Sequence, residues 1–170
     1  MNRFYIGLGS NLGNRRLNLL EAFHHLEKME KSQNFRMSRI YESDPVDGSN
    51  QPSFLNSVVE AETELSPFEL LDYCQRIEHQ MGRERHDMQR WAPREIDIDI
   101  LFYADRIIQS NRLTIPHSEI PFRSFVLEPM CELNPYFVHP DKHLTVWQMQ
   151  RNLIHHLNIH EYTIEDERHV

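Results

Sequence analysis

The order of structural elements in this 170-residue chain predicts an α+β fold, a ferredoxin-like βαββαβ antiparallel sheet with helices packed on it and additional C-terminal helices. Strand-like and helix-like hydrophobic patterns alternate in that order up to about residue 103, and both predicted helices begin at capping signals. The sequence contains no repeat, low-complexity segment or linker. It therefore predicts one domain over residues 1–160 and a charged C-terminal tail over 161–170.

The first strand is predicted over residues 3–9. The glycines at positions 7, 9 and 13 are expected to turn the chain into a helix that Asn14 caps and that runs to about residue 29. Apolar residues recur in this helix at every third or fourth position, which predicts a buried stripe made of Leu17, Leu20, Phe23 or His24, Leu26 and Met29.

Two further strands are predicted over residues 35–41 and 54–63. The segment between them, residues 43–53, is rich in Ser, Asp, Asn, Gly and Pro, which is the composition of a loop. Because long loops inside compact domains often serve a function, this segment is a candidate part of a binding site.

The second helix has a strong start signal. Ser66 can cap it, Pro67 suits the first turn, and Glu69 completes a capping box. Gly82 is placed to end the helix in a left-handed conformation. The apolar residues between these signals share one face: Leu70, Cys74, Ile77 and Met81.

The remainder of the chain continues the pattern. Residues 96–103 alternate as a fourth strand, and residues 107–115 predict a small hairpin or edge strand. Helical segments are expected within 118–134 and 144–157. The charged residues from about 160 onward are expected to fray.

Composition limits the possible partners. The formal net charge is −8, which disfavours a nucleic-acid-binding surface. The apolar runs are far shorter than the roughly 20 residues of a membrane helix, and the first residues lack the zones of a signal peptide. The two cysteines, Cys74 and Cys131, form no ligand pattern. We therefore expect a cytoplasmic protein with no nucleic acid and no membrane partner.

Two aspartates in the predicted fourth strand are the strongest chemical signal. Asp97 and Asp99 are two residues apart, so both carboxylates point to the same face, while Ile96, Ile98 and Ile100 point to the other. Aspartate is unfavourable in strands, and two close carboxylates repel each other unless cations lie between them. The pattern indicates a Mg²⁺ site. An amphipathic strand with a solvated face is the alternative.

An arginine-rich segment precedes these aspartates in an otherwise acidic chain. Arg83, Arg85, Arg90 and Arg94 can bind phosphate oxygens in a bidentate way, and Trp91 among them could stack on a base or fix the loop. The alternative is a solvated face of salt bridges with the neighbouring acidic residues Glu84, Asp87 and Glu95. Taken together with the aspartates, the arginines favour a magnesium and phosphate site.

Other phosphate-binding devices are weaker. The glycine-rich stretch over residues 7–13 differs by one residue from the dinucleotide-binding fingerprint, so a tight structural turn is the preferred interpretation. The sequence has no Walker A motif. If ATP binds, arginines and magnesium must hold it.

The same segment resembles the signature R-W-G/A-P-R-x-x-D-x-D-[IL] of the 6-hydroxymethyl-7,8-dihydropterin pyrophosphokinase family, and it consists here of Arg90-Trp91-Ala92-Pro93-Arg94-Glu95-Ile96-Asp97-Ile98-Asp99-Ile100. The resemblance covers about residues 3–150. Further matching stretches are Gly9-Ser10-Asn11, Gln51-Pro52-Ser53-Phe54-Leu55-Asn56, Gln75-Arg76-Ile77-Glu78, Gly82-Arg83 and Leu113-Thr114-Ile115-Pro116-His117.

The resemblance implies that residues 1–160 are a catalytic domain of an ATP-dependent pyrophosphokinase. Such an enzyme transfers the terminal pyrophosphate of ATP to the hydroxymethyl group of 6-hydroxymethyl-7,8-dihydropterin and releases AMP, in folate biosynthesis. It further implies two Mg²⁺ ions, ATP as co-substrate, small-molecule substrates only, and a monomer.

The resemblance also implies roles for individual residues. Asp97 and Asp99 would bind the two Mg²⁺ ions, and Arg83 and Arg94 would stabilise charge on the transferred group. The pterin would be held by Ser43, Asp44, Val46, Phe54, Asn56 and Phe125, with the two phenylalanines sandwiching its ring. Contacts to ATP are expected from Gln75, Glu78, Arg85, Trp91, Ile100, Arg112, Thr114, His117 and Arg123.

Two other functions share part of this pattern. A Mg-dependent nucleotidyltransferase can use the same paired aspartates, but it would release pyrophosphate rather than AMP. A non-catalytic ferredoxin-like ligand-binding module would explain the order of elements, but not the arginines beside the paired aspartates.

Overall fold

The structure is a computed structural model that describes residues 1–45, 51–82, 95–153 and 159–163. Its strands are β1 Asn2–Ser10, β2 Ser32–Met37, β3 Tyr41–Ser43, β4 Phe54–Thr63, β5 Asp97–Tyr103, β6 Ile108–Gln109, β7 Thr114–Ile115 and β8 Ile159–Glu161. Its α-helices are α1 Arg15–Glu27, α2 Pro67–Gln80, α3 Ser124–Leu133 and α4 Val146–Asn152, with a short 3₁₀ helix at Ile120–Phe122.

The main sheet has six strands in the order β5–β1–β4–β3–β8, and β2 also pairs with β4. Every pairing is antiparallel, as the sequence predicted. The strands β6 and β7 form the separate small hairpin expected over residues 107–115. The strand β1 therefore lies between β4 and β5, and these three strands form the centre of the molecule.

Helices cover both faces of this sheet. Because side chains alternate along a strand, Phe4, Ile6 and Leu8 of β1 pack in a core with α1 and α2. Tyr5 points the other way, into a second core with Val126 and the rest of α3 and α4. The C-terminal helices predicted from the sequence therefore cover part of the second face.

Both predicted helix starts are confirmed. The Asn14 side chain accepts a hydrogen bond from the amide of Leu17, 3.0 Å away. Ser66 and Glu69 form the reciprocal capping box at the start of α2. Gly82 has φ +103°, the left-handed conformation expected after this helix.

The predicted apolar stripe of α1 was only partly correct. Leu17 and Leu20 are 47% and 37% exposed, and the fully buried residues are Leu19, Ala22 and Leu26. Their spacing of three and four residues also fits one helix face. Several leucines in a row permit more than one such face, and only packing against the sheet selects between them.

Two further corrections concern strands. The predicted strand over 35–41 is divided into β2 and β3 at Ser38, where side chains replace part of the backbone pairing: the Val58 amide donates to Ser38 Oγ, and the Ser57 hydroxyl donates to Ser38 O. Gly7 and Gly9 do not turn the chain but lie inside β1. Only Gly13, with φ +64°, lies in the predicted turn.

The C-terminal residues extend the sheet. The strand β8 pairs with β3, and the amide of Tyr162 donates to Ile40 O. The expectation that the chain frays from residue 160 is therefore wrong as far as residue 162, and the predicted domain boundary falls within β8. None of the described helices is long and apolar enough to span a bilayer.

Candidate active site

A cavity of about 320 Å³ opens on the second face of the sheet, beside the start of α3. Many of the residues predicted from the sequence line it together: Ser43, Asp44, Phe54, Asn56, Asp97, Asp99, His117, Arg123 and Phe125. The structure thus brings most of the described site residues to one place from β3, β4, β5 and α3.

The floor of the cavity is the bare backbone of β1. In the sheet register, Gly9 lies between Asn56 of β4 and Asp97 of β5. A Cβ atom at Gly9 would lie 3.4 Å from Asn56 Oδ1 and 4.0 Å from Asp97 Cβ. The missing side chain therefore leaves a groove with an amide on one side and a carboxylate on the other.

The two aspartates occupy the positions expected for metal ligands. Asp97 is half-buried and Asp99 is exposed, and both line the cavity, whereas Ile98 between them is buried in the opposite core. The described residues contain no group of three His, Cys, Asp or Glu side chains that could hold an ion. Mg²⁺ commonly binds through one or two carboxylates and completes its shell with water and substrate oxygens, which fits the pair Asp97 and Asp99.

The charge of the cavity also favours cations. Among the described residues that line it, carboxylates come from Asp44, Asp97, Asp99 and Glu119, while Arg123 supplies the guanidinium. Such an excess of negative charge raises the local concentration of positive ions. The donor set is thus suited to magnesium and to the magnesium complex of a polyphosphate.

The other end of the cavity is suited to a flat polar molecule. Asn56 is only 6% exposed, and its Nδ2 donates to Ser43 Oγ at 2.9 Å. Phe54 is the register partner of Ser43, and both Phe54 and Phe125 line the cavity as half-buried aromatic side chains. Aromatic faces combined with a few fixed polar groups are typical of sites for heterocycles.

Arg123 lines the cavity beside its aromatic end. Its Cζ atom lies 5.5 Å from the centroid of the Phe125 ring, a cation–π arrangement. Its Nε is buried and has no hydrogen-bond partner among the described residues. Since a buried donor without a partner is costly, an acceptor such as a phosphate oxygen would stabilise this position.

The orientation of His117 is fixed by its own backbone turn. Its amide donates to Leu101 O at 3.0 Å, and its Nδ1 accepts from the amide of Glu119 at 3.3 Å. These two bonds fix the imidazole at the side of the cavity next to β5.

Comparison with known proteins shows the family to which this chain belongs. The sequence model of the family described as 7,8-dihydro-6-hydroxymethylpterin-pyrophosphokinase, or HPPK, matches residues 5–135. The chain belongs to the HPPK family.

Individual HPPK relatives agree over most of the chain. The chain is 41% identical over 140 residues to the 2-amino-4-hydroxy-6-hydroxymethyldihydropteridine pyrophosphokinase of Haemophilus influenzae, covering 82% of this chain and 86% of the relative. It is 43% identical over 129 residues to the Bacillus subtilis protein of the same name, covering 76% of each. Against the folic acid synthesis protein FOL1 of Dictyostelium discoideum it is 41% identical, but it spans only 24% of that longer protein.

Solved HPPK structures share the fold. The wild-type Plasmodium falciparum HPPK-DHPS with pteroate matches with a TM-score of 0.70 at 17% identity, over 89% of this chain and 42% of that one. A second HPPK-DHPS structure, described as a complex with substrates, matches with a TM-score of 0.67 at 15% identity. This chain spans less than half of the length of either structure.

Two residues predicted to contact ATP lie behind β5 in the HPPK scaffold. Glu78 is 7% exposed, and its Oε1 accepts from the amide of Ile98 at 2.9 Å. The Ile100 side chain is buried in the core with α1 and α2, so only its backbone can reach a nucleotide. Their contacts to ATP stay predictions.

Three other predicted ATP contacts lie outside the cavity. Arg112 pairs with Asp72 of α2 at 2.6 Å, and both side chains are largely exposed. Thr114 is exposed in β7, and Gln75 lines an open depression on α2.

Predictions for five further residues fall outside the described part of the chain, namely Val46, Arg83, Arg85, Trp91 and Arg94.

Sequence reasoning missed part of the cavity wall. The additional lining residues are Gly7, Leu8, Gly9, Pro45, Gln51, Ser57, Val58, Leu101, Ser118, Glu119 and Val126. A signal for the glycines was present, because Gly7 and Gly9 have the same two-residue spacing as Asp97 and Asp99. Two glycines on one strand face suit a close approach by a ligand. Nothing in the sequence separated Glu119 from the other acidic residues.

Proposed function

We propose that this chain transfers the terminal pyrophosphate of ATP to the hydroxymethyl group of 6-hydroxymethyl-7,8-dihydropterin and releases AMP, in folate biosynthesis. The observation that carries the proposal is the shared cavity, in which Asp97 and Asp99 lie at one end and Phe54, Asn56 and Phe125 at the other. Membership of the HPPK family and the names of its relatives support the same reaction.

Asp97 and Asp99 hold the cation end of the substrates. Two carboxylates on one face of a rigid strand can bind ions that bridge phosphate oxygens, and two Mg²⁺ ions are the expected number. Bound magnesium would neutralise the charge of the polyphosphate and of the group in transfer.

The pterin end depends on shape and a few hydrogen bonds. Phe54 and Phe125 would enclose the ring between aromatic faces, and Asn56 would bond to its polar edge. Ser43 fixes the Asn56 amide through its hydroxyl, and Asp44 and Val46 would complete the edge contacts.

Arginines supply positive charge at the transferred group. Arg83 and Arg94 would stabilise the developing charge, as the motif implies. Arg123 is suited to a phosphate oxygen because its buried Nε has no partner among the described residues. His117 would contact the same ATP molecule, as the motif implies.

The bond changes are simple. The hydroxymethyl oxygen attacks the β-phosphorus of ATP, the bond between that phosphorus and the bridging α–β oxygen breaks, and AMP leaves with that oxygen. The hydroxyl proton passes to water or to a phosphate oxygen. Positioning and charge neutralisation are the main requirements of such a transfer.

The decisive experiment is incubation with ATP, Mg²⁺ and 6-hydroxymethyl-7,8-dihydropterin, followed by separation of the nucleotide products. AMP and a pyrophosphorylated pterin are expected in equal amounts. Release of inorganic pyrophosphate with a nucleotidyl product would favour the nucleotidyltransferase alternative. A folded protein that binds ligand but forms neither product would favour the non-catalytic module.

The finer expectations belong to the same proposal. We infer a ferredoxin-like sheet, which the order β5–β1–β4 followed by β2 and β3 supports. A monomer in the cytoplasm, with no nucleic acid or membrane partner, is the state that we expect. Size-exclusion chromatography with light scattering tests the monomer directly.

A further inference from the structure

A group of side chains behind the cavity joins the two ends of one connection. The strand β3 ends at Ser43 and β4 begins at Phe54, and these two residues are register partners that both line the cavity. Glu42 precedes Ser43, and Ser53 precedes Phe54. Both Glu42 and Ser53 accept hydrogen bonds from Arg15 at the start of α1. One side chain of α1 thus holds both ends of the segment between β3 and β4.

The contacts form a closed triangle. Arg15 Nη1 lies 2.7 Å from Glu42 Oε1, 2.8 Å from the carbonyl oxygen of Ser53 and 2.8 Å from Ser53 Oγ. The Ser53 hydroxyl also donates to Glu42 Oε1. We call Arg15, Glu42 and Ser53 the loop clamp.

The loop clamp is partly shielded from water. The side chains of Arg15 and Glu42 are 21% and 18% exposed. Burial by itself would raise the pKa of Glu42, but hydrogen bonds from Ser53 and Arg15 and the positive charge of Arg15 bring its pKa below the usual value. The carboxylate is therefore ionised at neutral pH, and its bonds are of the stronger, charge-assisted kind.

The clamp can influence the cavity only indirectly. Neighbouring side chains on a strand point to opposite faces, so Glu42 points away from the face that carries Ser43. None of the three clamp residues lines the cavity. The C-terminal strand adds a further contact on the same side, with His160 Nε2 3.4 Å from Glu42 Oε2.

We propose that the loop clamp is a positioning device that holds the ends of β3 and β4 in place, so that Phe54 can contact the pterin ring and Ser43 can fix the Asn56 amide, a role that rests on the proposed function. Its three members are positioning residues, because they act through the two residues that follow Glu42 and Ser53. The clamp should therefore set the affinity for the pterin and leave the magnesium and phosphate end unchanged.

The kinetic test separates the two substrates. In the variants Arg15→Met and Glu42→Gln, the KM for 6-hydroxymethyl-7,8-dihydropterin is expected to rise about tenfold, the size of effect that is typical of hydrogen bonds to a charged group. The KM for ATP and the kcat should change by less than about twofold. Arg15→Lys should recover part of the loss, because an ammonium group keeps the charge but cannot reproduce the guanidinium fork.

A matched control exists at the same edge of the sheet. Arg39 pairs with Glu132 at 3.5 Å and with Glu161 at 2.8 Å, and it contacts neither end of the segment between β3 and β4. Arg39→Met removes an arginine and its ion pairs in the same way. Both KM values are expected to stay at the wild-type level.

A second readout does not depend on activity. Amide hydrogen exchange at Ser43 and Phe54 in the ligand-free protein should be about tenfold faster in Arg15→Met than in wild type.

The outcomes of the two experiments distinguish the two proposals. If wild type forms no AMP, the proposed function fails, and unchanged hydrogen exchange in Arg15→Met would then overturn the clamp as well. If wild type is active, an unchanged dihydropterin KM in both variants overturns the clamp alone. Should Arg15→Met not fold, Glu42→Gln has nearly the native shape and carries the same test.

Discussion

The two faces of the central sheet are built from the same strands, yet they serve different ends. On the face towards α1 and α2, β1 and β5 contribute Ile6, Leu8 and Ile98 to a continuous apolar core. On the other face, β1 contributes Gly9 and β5 contributes Asp97 and Asp99 to an open cavity. Because side chains alternate between the two faces of a strand, every second residue can stabilise the core while the residues between them line the cavity. Substitutions on the two faces should separate activity from stability.

The largest effect is expected at the open face. Asp97→Asn and Asp99→Asn should each lower the rate of AMP formation by at least about 10³-fold, since each change would remove one of the proposed magnesium ligands. The unfolding free energy should change by less than about 1 kcal/mol, because each asparagine keeps nearly the shape of the aspartate that it replaces. Steady-state kinetics and urea denaturation measure the two quantities.

The control for the aspartate variants is Asp105→Asn. Asp105 is exposed just after β5 and lies outside the cavity, so the same chemical change there should leave activity at the wild-type level. An Asp97 or Asp99 variant that keeps activity within about threefold of wild type would contradict the assignment of the two carboxylates as metal ligands.

The opposite result is expected one residue away on the core face. Ile98 is 5% exposed, and Ile98→Ala should lower the unfolding free energy by about 2–4 kcal/mol through lost burial and a residual cavity. The folded fraction should keep its kcat within a few-fold. Ile98→Val should cost only about 1 kcal/mol. A stable but inactive Ile98→Ala protein would break the division between the two faces.

A smaller effect is expected in the groove floor. Gly9→Ala places a methyl group 3.4 Å from Asn56 Oδ1, where it would narrow the space for the pterin edge. The KM for the dihydropterin should rise by about tenfold with little change in stability. Gly7→Ala is the comparison, because its methyl group would meet the Leu101 side chain instead. Equal effects of both changes would argue against a pterin beside Asn56.

The smallest effect concerns the region after α3, on the same side of the sheet as the cavity. His139 is buried against Phe102, and its Nδ1 accepts from the amides of Asp141 and Lys142, both at 3.2 Å. Burial lowers the pKa of His139 below its ordinary value of 6.5. The unfolded chain therefore binds the proton more readily, and stability should fall as the pH drops below about 6.5.

Thermal unfolding between pH 8 and pH 5 tests this expectation. The decline of the melting temperature towards acid should be shallower in His139→Gln than in wild type. The matched change His24→Gln, at a largely exposed position on α1, should leave the wild-type slope unchanged. Identical slopes in all three proteins would show that His139 does not contribute.

The parts of the fold that could be predicted from the sequence are those in which a local signal decides. The capping box at Ser66 and the cap at Asn14 act within three residues, and the alternation of Asp97, Ile98 and Asp99 needs only one strand. The candidate site was predicted from signals of the same kind, because the paired aspartates and the residues that carry the family resemblance lie in contiguous stretches, and the roles of these residues stay predictions.

Features that depend on distant partners were missed. Leu17 and Leu20 are as apolar as Leu19, and only the position of the sheet makes one face of α1 the buried one. The division of the predicted second strand depends on Ser38 bonding to Val58 and Ser57. Glu119 enters the cavity through the turn that His117 makes against Leu101, and a local pattern contains no information about that contact.

The pairing of β8 with β3 has a consequence for solubility. Without β8, the backbone amide and carbonyl groups of Tyr41, Glu42 and Ser43 on that side would form an unprotected strand edge, which is a template for pairing with another chain. Shortening the protein before residue 159 should therefore promote self-association through β3, the strand that ends at the proposed pterin side of the cavity. Aggregation and loss of substrate binding would then appear together, although the removed residues lie outside the cavity.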